Sequence, residues 1–246
     1  MHFSRYVAIG DSFTEGMGDD LPDGSPRGWA DLVALGLALS SSEPVSYANL
    51  AIRGRLLAPI VTGQMDAAIA LGPDLVSING GGNDIMRPSV SIPGIASHLI
   101  DAVDRAVASG AHVVLASGAN PTDHIPLGAR IGARGDALAE AVLAHLPKQN
   151  VTWVDNWGDT ELRALRYWST DRLHLNTLGH RRVAARVLAA LEVPVPDFGP
   201  EPDEPRRPRT AEYWRDYVLP WIGRRLTGKS SGDAREPKRP ELLPLP

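Results

Sequence analysis

Over residues 1–192, short apolar runs alternate with longer segments of helical spacing. Phe3 to Ile9, Val45 to Leu50, Asp74 to Ile78, His112 to Ala116 and Val151 to Val154 are short and rich in Val, Ile and Leu. Strands buried on both faces carry this pattern. Residues 28–40, 55–71, 93–109, 128–146 and 177–192 instead place Ala and Leu at helical intervals, and the last two intersperse Arg, Glu and Asp at positions that suit solvent. Gly72 and Gly110 stand where two of these helices should stop. Five strand–helix alternations predict an α/β protein with a five-stranded parallel sheet and helices on both faces. In such sheets ligands bind beyond the carboxyl ends of the strands, so that edge is the place to look for chemistry.

The pattern changes near residue 193. Of 21 prolines, 11 fall in the last 54 residues. Pro194-Val195-Pro196 and the run from Pro200 to Pro205 can neither continue a helix nor enter a central strand. The expected organisation is a main domain over 1–192 and a Pro-rich linker with an amphipathic C-terminal helical extension over 193–246. In that extension Tyr213, Trp214, Tyr217, Val218, Trp221 and Ile222 recur on one helical face. Thr210 is the expected N-cap, and Pro220 should kink or split the helix. Docking of this face on the main domain is favoured over a membrane surface, because acidic residues interrupt its Arg-rich flanks. Residues after about 228 are expected to lie loose or draped over the surface.

Composition narrows the classes. With 43% hydrophobic residues among 246, the chain can fill a core, and no apolar run approaches the roughly 20 residues of a membrane span. No secretory signal is visible at the N-terminus. Cysteine is absent, which removes disulfides, thiolate catalysis and Cys-ligated zinc. A net charge of −4 argues against a nucleic-acid partner. The expectation is a soluble, cytoplasmic protein of unknown oligomeric state that needs no cofactor and no metal.

Four segments at the predicted sheet edge are polar or glycine-rich. They are Gly10-Asp11-Ser12-Phe13-Thr14-Glu15-Gly16, Asn49 to Gly54, Asn79-Gly80-Gly81-Gly82-Asn83-Asp84, and Asp171 to Asn176. Taken singly, each has an ordinary structural reading: Ser12 as a helix cap, the glycines as turn residues, Asp171 as a cap and His174 as a packed or surface histidine. Their joint arrival at one edge, in a compatible order, is what singles them out.

Together these segments resemble the sequence blocks of the SGNH (GDSL-type) hydrolases, which are esterases and lipases of three-layer α/β/α, flavodoxin-like fold. Gly10-Asp11-Ser12 matches the nucleophile block, with Phe13 where the family name has leucine. Gly54 matches the second block, Gly81-Gly82-Asn83-Asp84 the third and Asp171-x-x-His174 the last; the resemblance covers roughly residues 3–192. It implies a serine hydrolase that cleaves carboxylic esters of small-molecule substrates through an acyl-enzyme. Ser12 would be the nucleophile, His174 its base, and Asp171 the carboxylate that orients the imidazole. The backbone N–H groups of Ser12 and Gly54 and the Asn83 amide would form the oxyanion hole. Asp11 and Asp84 are expected to bond loop backbone, and His112 and His180 to pack or face solvent. Met17, Trp29, Ile85, Met86, Tyr167 and Trp168 could line an acyl pocket or simply pack the core. An acyltransferase, or a sugar or lipid deacylase, would use the same site. A non-catalytic flavodoxin-like binding module is the reading from another class, and it leaves Asp171 and His174 without a role.

Overall fold

A computed structural model describes residues 2–147, 149–203, 207–220, 223 and 232–245. The five expected strands form where the apolar runs lie: β1 Arg5–Ile9, β2 Ser46–Asn49, β3 Leu75–Ile78, β4 His112–Ala116 and β5 Val151–Val154. All four pairings among them are parallel. Side chains alternate in direction along each strand, so Tyr6 and Ala8 enter one apolar cluster while Val7 and Ile9 enter another on the opposite face. This two-sided burial is why the runs lack polar alternation.

Helices cover both faces. On one side lie α2 (Trp29–Ser40) and α8 (Thr177–Ala190), which pack on each other and on Tyr6, Tyr47 and Val114. On the other lie α3 (Leu57–Pro59), α4 (Met65–Ala70), α6 (Ile92–Ala108) and α7 (Gly128–Leu143). Two short helices begin just beyond strand ends: α1 (Ser12–Glu15) after β1 and α5 (Gly82–Ile85) after β3. The segment expected as one helix over 55–71 is broken, because a π-helical turn over Ile60–Gln64 separates α3 from α4.

The sheet has six strands, in the order β5-β4-β3-β1-β2-β6, rather than the expected five. The sixth, β6 (Arg239–Pro244), comes from the C-terminal segment expected to be loose, and it pairs antiparallel with β2. Pro240 and Pro244 hide a strand from sequence inspection, yet an edge strand tolerates them because one of its sides needs no partner. The first five strands keep the flavodoxin-like order 2-1-3-4-5, which reverses direction between β1 and β3.

Lys238, just before β6, ties this segment to the main fold. Its ammonium donates to the carbonyls of Glu15 (2.6 Å), Pro26 (3.0 Å) and Arg27, and to the Asp31 carboxylate (2.6 Å). Burial lowers the Lys238 pKa despite this carboxylate, and burial pushes Asp31 up to about 6. Lys238→Met should therefore destabilise the protein by roughly 2 kcal/mol or more, because three carbonyls and a carboxylate lose their donor. At this chain length that is a fall of about 4–8 °C in Tm. Asp31→Asn in the same chain should recover part of it, as thermal unfolding of both variants would show.

The amphipathic segment is also modified. Helix α9 (Thr210–Tyr213) begins after Arg209 rather than Thr210, and a π-helical turn over Trp214–Val218 follows. Tyr213 and Val218 are buried, but Trp214 remains 42% exposed. Trp221 and Ile222 lie outside the described residues.

Candidate active site

The direction reversal between β1 and β3 leaves a crevice at their carboxyl ends, flanked by α1 and α5. Asp11 caps α1, its Oδ1 accepting the Phe13 N–H at 3.0 Å, and this sets Ser12 at the first helical position. Gln64 braces the preceding residue from both sides, accepting the Gly10 N–H at 2.8 Å and donating to the Gly10 carbonyl at 3.0 Å. The end of α1 must pack tightly. A Cβ on Gly16 would lie 2.2 Å from the Arg27 carbonyl oxygen, and one on Gly28 would lie 2.3 Å from the Gly16 Cα. Only glycine at both positions lets these two backbones touch.

From the far end of the chain, the loop before α8 reaches the same crevice. His174 Nδ1 donates to Asp171 Oδ2 at 2.6 Å, which leaves Nε2 to accept the Ser12 hydroxyl at 3.1 Å. The other carboxylate oxygen, Asp171 Oδ1, accepts from the Ser169 hydroxyl (2.6 Å) and from the N–H groups of Leu173 (2.9 Å) and His174 (3.0 Å). The carboxylate thus closes the turn that carries the imidazole. That turn holds Arg172 at φ +59°, a left-handed conformation unusual for a residue with a Cβ. The C-terminal segment supports it: the Arg172 guanidinium stacks 4.2 Å from the Tyr213 ring centre, and Arg207 donates to the carbonyls of Leu165 (2.8 Å) and Trp168 (2.9 Å).

Electrostatics follow from this geometry. Burial opposes charge on both His174 and Asp171, but each stabilises the other's ionised form. The imidazole is held above its ordinary value, and the carboxylate well below the usual range. Asp11, buried beside them, is pushed up to about 6 by desolvation.

Asn83 sits in the first turn of α5. Its Nδ2 donates to Asp11 Oδ2 at 3.2 Å and to the Arg55 carbonyl at 3.0 Å. Gly54 occupies the turn after β2 at φ +74° and does not line the cavity that Ser12, Asn83 and His174 share. Its neighbour Arg53 fixes that turn to α1: the Arg53 N–H donates to Glu15 Oε2 at 2.6 Å and its guanidinium to Glu15 Oε1 at 2.8 Å. Asp84 accepts the Leu57 N–H at 2.9 Å. His180 is buried and accepts the Trp29 N–H at Nδ1 while donating from Nε2 to the Met17 carbonyl. Burial pushes its pKa down to about 4, so it stays neutral. His112 bonds Thr152 between adjacent strands. Of the aromatic and apolar neighbours considered, Met17, Ile85, Met86 and Trp168 line the cavity, whereas Trp29 and Tyr167 belong to the core.

Sequence inspection missed the supports. The Glu15–Arg53 pair was visible in principle as opposite charges in two of the blocks. Gln64, Arg207 and Lys238 carried no signal, because nothing local relates them to the residues they hold.

The class this fold and sequence define is that of the carboxyl-ester hydrolases. More particularly, the chain belongs to the GDSL-like lipase/acylhydrolase family, whose model matches residues 8–182. Among curated proteins no sequence match was found. Several solved structures share the fold. The lipase Lip_vut3 from a goat rumen metagenome superposes with a TM-score of 0.65 at 18% identity, over 78% of this chain and 100% of that one. TesA gives 0.62 at 22% identity, over 76% of this chain and 97% of its own. Axe2, an acetylxylan esterase from Geobacillus stearothermophilus, gives 0.60 at 19% identity, over 80% and 97% respectively.

Proposed function

We propose that the protein hydrolyses carboxylic esters by a Ser12–His174–Asp171 mechanism through an acyl-enzyme. The observation that carries this reading is the unbroken chain of hydrogen bonds from the Ser12 hydroxyl through both nitrogens of His174 to the Asp171 carboxylate. Ser12 Oγ attacks the acyl carbonyl carbon while His174 Nε2 takes its proton. The tetrahedral intermediate collapses, the alcohol oxygen leaves with that proton, and the acyl group remains on Ser12. Water then attacks the acyl carbon and gives a proton to His174. The acid departs as Ser12 Oγ recovers that proton.

The oxyanion would be met by the N–H groups of Ser12 and Gly54 and by the Asn83 amide. Gly54 lies outside the cavity lining, on a turn that the Glu15–Arg53 pair holds beside α1, so its N–H would join the oxyanion hole only once that turn moves toward Ser12. Asn83 can turn one hydrogen to the oxyanion by releasing Asp11, the longer of its two bonds. Asn83→Ala should lower kcat by roughly 10²–10³-fold with little change in KM, since the donor acts on charge that develops in the transition state. A change confined to KM would reassign Asn83 to ground-state binding.

The decisive experiment treats the wild-type protein with a fluorophosphonate and maps the adduct by mass spectrometry. Modification of Ser12 is the expected result. Ester cleavage with no adduct there would overturn the mechanism. Product analysis with added alcohols distinguishes hydrolysis from acyl transfer.

A further inference from the structure

The cavity does not end at the catalytic crevice. From Ser12 and His174 it runs inward between the sheet and α7, with a volume of about 140 Å³. Its inner wall is a stripe of α7, Ile131, Gly135, Leu138 and Val142, spaced four, three and four residues apart and so aligned on one helix face. Leu115 of β4 and Trp153 of β5 face it from the sheet side.

This space is built rather than left over. A Cβ at Gly135 would lie 2.0 Å from the Trp157 ring, so only glycine lets the indole lie flat against α7. The indole N–H donates to Asp136 Oδ1 at 2.8 Å, which anchors the ring from outside and turns its apolar face inward. Asp11, Ser12, Asn83 and His174 line the catalytic end, and the α7 stripe is hydrocarbon. The two further polar side chains in the lining, Asn79 and Ser117, are bonded to the Ala116 carbonyl and to the Asp155–Trp157 turn.

We propose that this cavity receives the acyl chain, and that the enzyme's substrates are esters of medium-chain carboxylic acids of about six carbons. The inference rests on the hydrolase reading above and specifies the substrate class of that site. Volume bounds the length: an apolar cavity of about 150 Å³ accommodates benzene, and the whole space from the catalytic crevice inward is about 140 Å³, so the acyl carbonyl and its chain together have room for about six carbons at most. An acetyl group would leave it largely empty, and a palmitoyl chain would not fit. Placing the carbonyl at Ser12 and the alkyl chain under α7 directs the alcohol outward, so the site selects for the acid rather than the alcohol.

The test is a series of nitrophenyl esters from acetate to palmitate. Each buried methylene contributes about fourfold in kcat/KM. The series should therefore rise roughly 10²-fold from acetyl to hexanoyl, then level off and fall. Ala139 of α7 also lines the cavity, and Ala139→Phe, which adds bulk there, should lower the hexanoyl-to-acetyl ratio at least tenfold. Val142→Ala lengthens the cavity and should raise the octanoyl-to-hexanoyl ratio severalfold; it decides the matter if Ala139→Phe fails to fold. A wild-type profile that is flat or best with acetyl, or ratios unmoved in both variants, overturns the acyl-chain assignment. Fluorophosphonate labelling of Ser12 would in that case leave the hydrolase reading standing. Absence of both labelling and cleavage at every chain length would overturn the hydrolase reading and this one with it.

Discussion

Ser12→Ala should abolish ester hydrolysis, with a fall in kcat of roughly 10⁵-fold or more, while Tm stays within a few degrees of wild type. The two halves of this expectation have separate grounds. Removing the nucleophile from a triad leaves only what oxyanion stabilisation and substrate binding provide. The fold should barely respond, because the half-buried Ser12 side chain makes a single hydrogen bond, to a histidine that Asp171 already holds. Steady-state assays of purified wild type and variant, with thermal unfolding of each, check both halves. Substantial residual turnover in a folded Ser12→Ala protein would remove Ser12 from the mechanism.

Asp171→Asn should cost about 10⁴-fold in kcat, the loss seen when the orienting group of such a triad can no longer set the tautomer. In the wild type the carboxylate accepts a hydrogen bond from His174 Nδ1–H, which keeps the proton on that nitrogen and leaves Nε2 free to act as a base. An asparagine that turned its NH₂ toward Nδ1 would make that nitrogen the acceptor and move the proton to Nε2, where the ring could not deprotonate Ser12. The pH profile supplies a second readout. His174 must be neutral to act as a base, and Asp171 raises its pKa above the ordinary value. Wild-type kcat/KM should therefore fall as pH drops through a midpoint above about 6.5. Whatever activity Asp171→Asn retains should show that limb at lower pH. The same pairing bears on stability. The lowered Asp171 pKa stabilises the fold above the normal carboxylate range and is lost in acid, while the raised His174 pKa stabilises it below about 6.5 and is lost as pH rises. An unshifted acid limb in the variant would show that Asp171 does not tune the imidazole.

Much of the architecture was legible before any coordinates. The runs at His112–Ala116 and Val151–Val154 are strands over those same residues, and the segment 177–192 is a helix over Thr177–Ala190. These elements are buried in a regular way, and regular burial imposes a period that the order of residues must carry. The helix expected over 55–71 was legible only in outline. Its π-helical turn places Gln64 against the backbone of Gly10, a tertiary demand that helical spacing does not record. Strand β6 was not legible at all. Arg239–Pro244 contains two prolines and a weak apolar pattern, and it becomes a strand because β2 offers it an unpaired edge.

For the site, the order of residues by itself singled out the side chains to which the proposed chemistry is assigned. Ser12, Asn83, Asp171 and His174 were identified because each lies next to a strand end or in a short loop whose local chemistry is distinctive. The turn from Asp171 to His174 is closed by its own carboxylate, an interaction spanning three residues. Only the tertiary structure decided what surrounds them: the 3.1 Å approach of His174 to Ser12 across 162 residues, the stacking of Tyr213 on the left-handed Arg172, the Lys238 anchor, and the cavity between α7 and the sheet. The division has a physical cause. Short-range hydrogen bonding and periodic burial act between residues close in the chain and so leave a local imprint. Long-range contacts and cavity volume depend on how separate layers pack, and any one stretch of sequence holds only half of each such contact.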